Sequence, residues 1–172
     1  MKQKLRLSFL KFFGKKAYLQ IDFTFAVGVF FMFFFVVFNI YNGQVQSEEE
    51  NLISSKLQAD AKDICFLLVD SSGSPNNWEN NVSSVNFPAL KNLSSQSIDA
   101  GKLSSFNSSN YFYIIDAFSI SSYVYIKIDG LNNGTNYLNF GTKAGNSNFQ
   151  AASSCYSTYL GEIVRVYVEV WR

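Results

Sequence analysis

Residues 15–22 read Lys15-Lys16-Ala17-Tyr18-Leu19-Gln20-Ile21-Asp22, and Phe23–Phe38 continues FTFAVGVFFMFFFVVF. Half of those last sixteen residues are Phe, and none is charged. With Ile21 before it and Asn39-Ile40-Tyr41 after it, the run reaches about 20 residues, or roughly 30 Å of helix, which matches a bilayer core. A buried helix of a soluble domain is the competing reading. This much Phe on every face would have no room in a domain of this size. In lipid, backbone polar groups must pair within the segment, so the run is expected to be helical.

Charge orients the segment. The formal net charge is +1, but Lys2, Lys4, Arg6, Lys11, Lys15 and Lys16 all precede Tyr18, where no acid occurs. The remaining eight of the 14 Lys and Arg face all 13 Asp and Glu in the rest of the chain. Glu48, Glu49 and Glu50 follow the apolar run directly. The positive-inside rule predicts a cytoplasmic N-terminus and an extracytoplasmic remainder. Asn-x-Ser/Thr sequons at Asn81, Asn92, Asn107 and Asn133, all beyond the run, mark possible N-glycosylation on that side. A cleaved secretory signal has a shorter apolar core and a small-residue cleavage site. Asn39-Ile40-Tyr41-Asn42-Gly43 offers no such site.

Beyond the run, residues 44–70 contain neither Pro nor Gly. Ile53, Leu57, Ala61, Ile64 and Leu68 recur at helical spacing, with Glu49, Lys56, Asp60, Lys62 and Asp63 mostly off that stripe. The helix is therefore expected to continue amphipathically to about residue 70. Ser71-Ser72-Gly73-Ser74-Pro75-Asn76-Asn77 breaks it. Over 109–118 the helical spacing of Tyr111, Ile114, Ile115 and Phe118 favours a short helix, while β-propensity argues for a strand. Strands are expected at Tyr123–Asp129, near Asn136–Phe140 after an Asn132-Asn133-Gly134 turn, and at Gln150–Leu160 and Ile163–Trp171, the last two pairing about Gly161-Glu162. Val164, Val166, Val168 and Val170 alternate with Arg165, Tyr167, Glu169 and Trp171, the pattern of a half-buried antiparallel strand.

Cys65 and Cys155 are the only cysteines, and histidine is absent. They fit one disulfide formed in an oxidising compartment, or else two unpaired cysteines packed as small hydrophobes. A bridge would join helix to strand. Ordinary zinc sites and Ser-His-Asp catalysis lack their residues here. No Gly-rich phosphate loop or cofactor motif occurs, and no basic groove for nucleic acid is evident. A non-enzymatic role is expected.

The junction at 15–23 resembles the leader of type IV prepilins, including archaeal class III signal peptides. In that family a prepilin peptidase cuts on the cytoplasmic side, before the apolar helix, and an acid lies five residues into the mature chain. The resemblance implies cleavage between Ala17 and Tyr18, which makes Asp22 that acid. Ala17 stands where Gly is commoner. A cut after Gly14 would put Leu19 in the acid's place. Farther on, Gly73-Ser74-Pro75-Asn76-Asn77-Trp78, Ala100-Gly101-Lys102-Leu103, Tyr123-Val124-Tyr125-Ile126 and Val168-Glu169-Val170-Trp171 resemble, in their order, the outer part of archaeal pilin-like proteins. Trp78 is expected as an aromatic plug under its loop rather than a ligand-binding residue.

Together these readings predict an α+β chain: a basic leader at 1–17, a transmembrane and assembly helix at 18–42, and an extracytoplasmic domain at 43–172. In that domain the helix would pack on a small antiparallel sheet, as in pilins. The resemblance implies a filament subunit, main or minor, whose partners are the membrane, other pilin subunits, the prepilin peptidase and the pilus assembly machinery. The competing reading is a single-pass membrane protein with a partner- or ligand-binding outer domain that does not polymerise. Asp22 also reads simply as an interfacial acid, tolerated by the helix N-terminus. Gly28 reads equally as a point of close helix approach and as an accident of sequence.

Overall fold

The structure, a computed structural model, describes the backbone from Lys2 and the side chains of residues 22–172. It divides into two compact units, residues 1–50 and 51–172. Helix α1 (Lys2–Asp70) contributes to both. The second unit adds two short helices, α2 (Ala100–Ser105) and α3 (Tyr111–Ala117), and four strands: β1 (Tyr123–Gly130), β2 (Asn136–Gly141), β3 (Gln150–Tyr159) and β4 (Glu162–Trp171). The expected helix and all four expected strands are present.

The strands form one antiparallel sheet in the order β2-β1-β4-β3. One face is apolar by strict alternation. Val124, Ile126 and Ile128 of β1 and Val164, Val166, Val168 and Val170 of β4 are all fully buried. The stripe on α1 lies against them, with Leu57, Ala61, Ile64, Cys65 and Leu68 buried in the same core and Ile53 at its edge. Ala61 is the small residue in that stripe, and a small residue lets a helix approach a sheet closely.

The β3–β4 hairpin turns one residue earlier than expected. Its central residues are Leu160 and Gly161, at φ 52° and 81°. Two successive positive φ values match the right-handed twist of the flanking strands, and they displace Glu162 into β4. Gly takes such a φ freely. Leu160, 79% exposed, also takes it, an uncommon conformation for a residue with a Cβ.

The loop after α1 is built around Trp78. Its ring is fully buried, and its indole Nε1–H donates to the Ala89 carbonyl at 3.0 Å. Phe106 meets the ring edge-on at 5.6 Å. Gly73, at φ 81°, passes so close that an added Cβ would lie 2.5 Å from Trp78 Cδ1. The spacing of Gly73 and Trp78 is thus one packing unit. The Ser74–Pro75 peptide is cis. Ser74 N–H donates to Phe87 O, and Asn86 N–H donates to Ser74 O, closing the loop.

Candidate functional site

In the first unit, residues 25–38 of α1 carry no polar side chain on any face. It holds the one stretch among the described residues that is long and apolar enough to cross a membrane, and none of that window is buried. Phe30, Phe34 and Phe38 form a stacked row at i, i+4 spacing, with ring centroids 6.5 and 6.1 Å apart. The polar Asn39 at the end of the run donates its amide N–H to Phe35 O at 2.7 Å. A side chain that bonds its own helix in this way leaves less to solvate in lipid.

Asp22 is exposed at the start of the described side chains, one position before the Phe-rich run. Ala17 and Tyr18, the expected cleavage pair, lie outside the residues whose side chains are described. Gly28 has open space around it, with nothing within 4 Å of an added Cβ. A shallow groove of about 620 Å³ runs along Thr24, Phe25, Gly28, Val29 and Met32.

The second unit answers the question the cysteines left open. Cys65 and Cys155 are disulfide-bonded, with Cα atoms 6.0 Å apart and a sequence separation of 90. Both are buried, so the bridge fastens α1 to β3 inside the core. Gln58 Nε2 adds a hydrogen bond from α1 to the Ala152 carbonyl of β3, at 3.3 Å.

The sequons differ in what they can offer. Asn81, Asn107 and Asn133 are exposed. Asn92 is half-buried and engaged at both ends: its Nδ2 donates to Asp99 Oδ2 at 2.7 Å, and its Oδ1 accepts from the Ser94 and Ser95 N–H groups. Asn107 caps a 3₁₀ turn by accepting from Asn110 N–H. Asn133 Nδ2 donates to Glu162 Oε2 at 3.0 Å.

Two carboxylates of this unit are held below their ordinary pKa. For Glu162 the largest cause is the Tyr137 hydroxyl, donating at 2.7 Å. Desolvation opposes it, and donors from Asn132 and Asn133 add to it. For Asp99 burial pushes upward. The Asn92 amide, the Lys102 and Gly101 backbone N–H groups and the Lys102 charge outweigh that push.

Lys102 lies in the short Ala100-Gly101-Lys102-Leu103 segment. It is one of the few buried charged residues, and its Nζ donates to Ser72 O at 2.6 Å and to Lys91 O at 3.2 Å. The cation satisfies the Ser72 carbonyl, two residues past the end of α1, and the Lys91 carbonyl farther along the loop. Periodicity carries no signal for such a contact. The late Trp171 stacks on Tyr123 across the β4–β1 pair, centroids 5.8 Å apart. The short motifs of the second unit make pairwise contacts: Gly73 against Trp78, Lys102 on Ser72, and Tyr123 on Trp171.

No family model, curated protein or solved structure matches this chain.

Proposed function

We propose that this chain is a structural subunit of a type IV pilin-like surface filament, main or minor, and not an enzyme. One observation carries the reading. A single helix contributes an apolar stretch with no buried residue to one unit and the core stripe of a disulfide-closed sheet domain to the other. An anchor that only tethers a domain needs no such continuity. A subunit that holds its domain on an assembly helix does.

In this reading the basic leader stays in the cytoplasm, and a prepilin peptidase cuts between Ala17 and Tyr18. The apolar helix remains on the mature protein, and the sheet domain stands outside the membrane. Lipid is already apolar, so transfer from water does not drive such helices together. Packing of Phe-rich surfaces and work done by the assembly machinery supply the drive. Asp22 then has a partner. Cleavage creates an α-amino group at Tyr18, and pairing of Asp22 with that cation on a neighbouring subunit sets the axial register. A carboxylate costs about 2.5–3.5 kcal/mol at the centre of a membrane helix and less near its end, so a charged partner gains the most where water is scarce.

The test is Asp22→Asn. The variant is expected to insert, to be processed and to keep its disulfide, yet to leave the assembled fraction near background when filaments are sheared from cells and quantified. Asp22→Glu should recover part of the assembly. Wild-type filament yield from Asp22→Asn would contradict the pairing, and a monomeric, processed wild-type protein would favour a non-polymerising anchor.

A further inference from the structure

We propose that the groove where α3 meets the β1–β2 end of the sheet binds a neutral carbohydrate presented from outside the chain. The proposal is independent of whether the chain polymerises.

The groove has a volume of about 430 Å³, within the range of small-ligand sites. Its floor is aromatic and rigid. Phe140 is buried, with Phe106 edge-on at 5.1 Å and Tyr111 against it at 5.3 Å. Tyr111 is itself fixed. Burial pushes its hydroxyl pKa upward, while a hydrogen bond from the Val124 backbone opposes the shift. Gly141, at φ 83°, keeps the floor close: an added Cβ would lie 2.2 Å from Val124 O and 3.1 Å from the Tyr111 ring.

The walls are aromatic and open to water. Phe112 is 81% exposed and Tyr123 63% exposed. Tyr123 is held flat by its stack on Trp171. The Tyr123 ring, held by that stack, offers an apolar face at little entropic cost on binding.

The polar lining selects the occupant. Ser108 and Thr142 contribute hydroxyls and Asn139 an amide. The Tyr125 hydroxyl donates to Asn139 Oδ1 at 2.9 Å, which orients the amide. No lining residue is charged. An anionic lipid, a nucleic acid or a charged peptide finds no counter-charge there. A sugar ring presents both an apolar C–H face for a ring to cover and hydroxyls for amide and hydroxyl partners. The occupant that matches on both counts is a neutral glycan.

The experiment uses the isotope-labelled full chain in a zwitterionic detergent without a sugar head group. Cellotriose, maltotriose, mannotriose and chitotriose are titrated in turn, with a sulfated oligosaccharide beside them, and amide shifts are followed by NMR. At least one neutral trisaccharide should bind saturably at roughly millimolar affinity, as expected of a few contacts. Shifts should cluster at residues 108–112, 123 and 139–142. Phe112→Ala, at an exposed position, should weaken binding at least about fivefold, and Asn139→Ala should do likewise. Tyr156→Ala, an exposed tyrosine on β3 away from the groove, should leave it unchanged. Thermal melting of each variant separates lost binding from lost folding. Absence of saturable shifts with every neutral sugar overturns the proposal. So does binding unaffected by Phe112→Ala, or preference for the sulfated sugar. Two other results overturn it: a groove filled by the chain's own Asn107 glycan, or a dependence on protein concentration alone that marks a second copy as the occupant.

Discussion

Trp78 shows how much one side chain can carry in a domain of this size. Its ring is fully buried, its N–H is satisfied by Ala89, and Gly73 lies against it with no room for a Cβ. Trp78→Ala should cost about 3–5 kcal/mol, as truncation of a buried aromatic does. Trp78→Phe should cost less, since much of the packing remains while the Ala89 carbonyl loses its donor. Denaturant unfolding checks both. Glu162 and Asp99 contribute to the pH dependence. Both lie below their ordinary values of 4.5 and 3.8, so the unfolded chain binds their protons first as pH falls. Their contribution is complete above those values and is lost as pH drops through the lower folded ones. Melting temperature should therefore fall on acidification below about pH 4.5, and Glu162→Gln should flatten part of that slope. An unchanged slope in Glu162→Gln would place the effect on other groups.

At the scale of elements, the disulfide decides how firmly α1 is held on the sheet. It closes a loop with a sequence separation of 90. The chain-entropy model gives about 4–5 kcal/mol as the upper loss for Cys65→Ala with Cys155→Ala. A fall in melting temperature in that double variant, matched by reduction of the wild type, is the expected outcome. The elements themselves were largely legible in the chain, because their signals are local. The α1 stripe is helical spacing, and β4 reads as alternation with every inward Val fully buried. What was not legible is non-local. Strand order β2-β1-β4-β3 pairs Tyr123 with Trp171 and Gly130 with Val164 across intervening segments, and no periodicity encodes that choice. Glu169 reads as a solvent-facing partner in the alternation, yet it is only 6% exposed. Tyr125 and Ala152 lie opposite it on either side, and Tyr167 and Trp171 flank it along β4. The hairpin turn fell one residue off because Leu160 adopts a positive φ that its residue type does not advertise. Of the candidate site, the apolar run and Asp22 were plain in sequence. The aromatic groove was not, since its residues come from α3, β1 and β2 and meet only in the folded domain.

At the scale of the whole molecule, the proposal concerns what becomes of the apolar stretch of α1. An exposed surface bearing Phe23, Phe25, Phe30 and Phe33 has to be covered by lipid or by other helices. Asp22→Asn addresses the second state, because a subunit that inserts but does not assemble separates anchoring from polymerisation. Processing addresses what comes before both. The most direct measurement is the N-terminal sequence and intact mass of the protein extracted from its own membranes and filaments. The account predicts a chain that begins at Tyr18 and retains residues 23–38. A chain that still begins at Met1, or one cut beyond the apolar run, would contradict it.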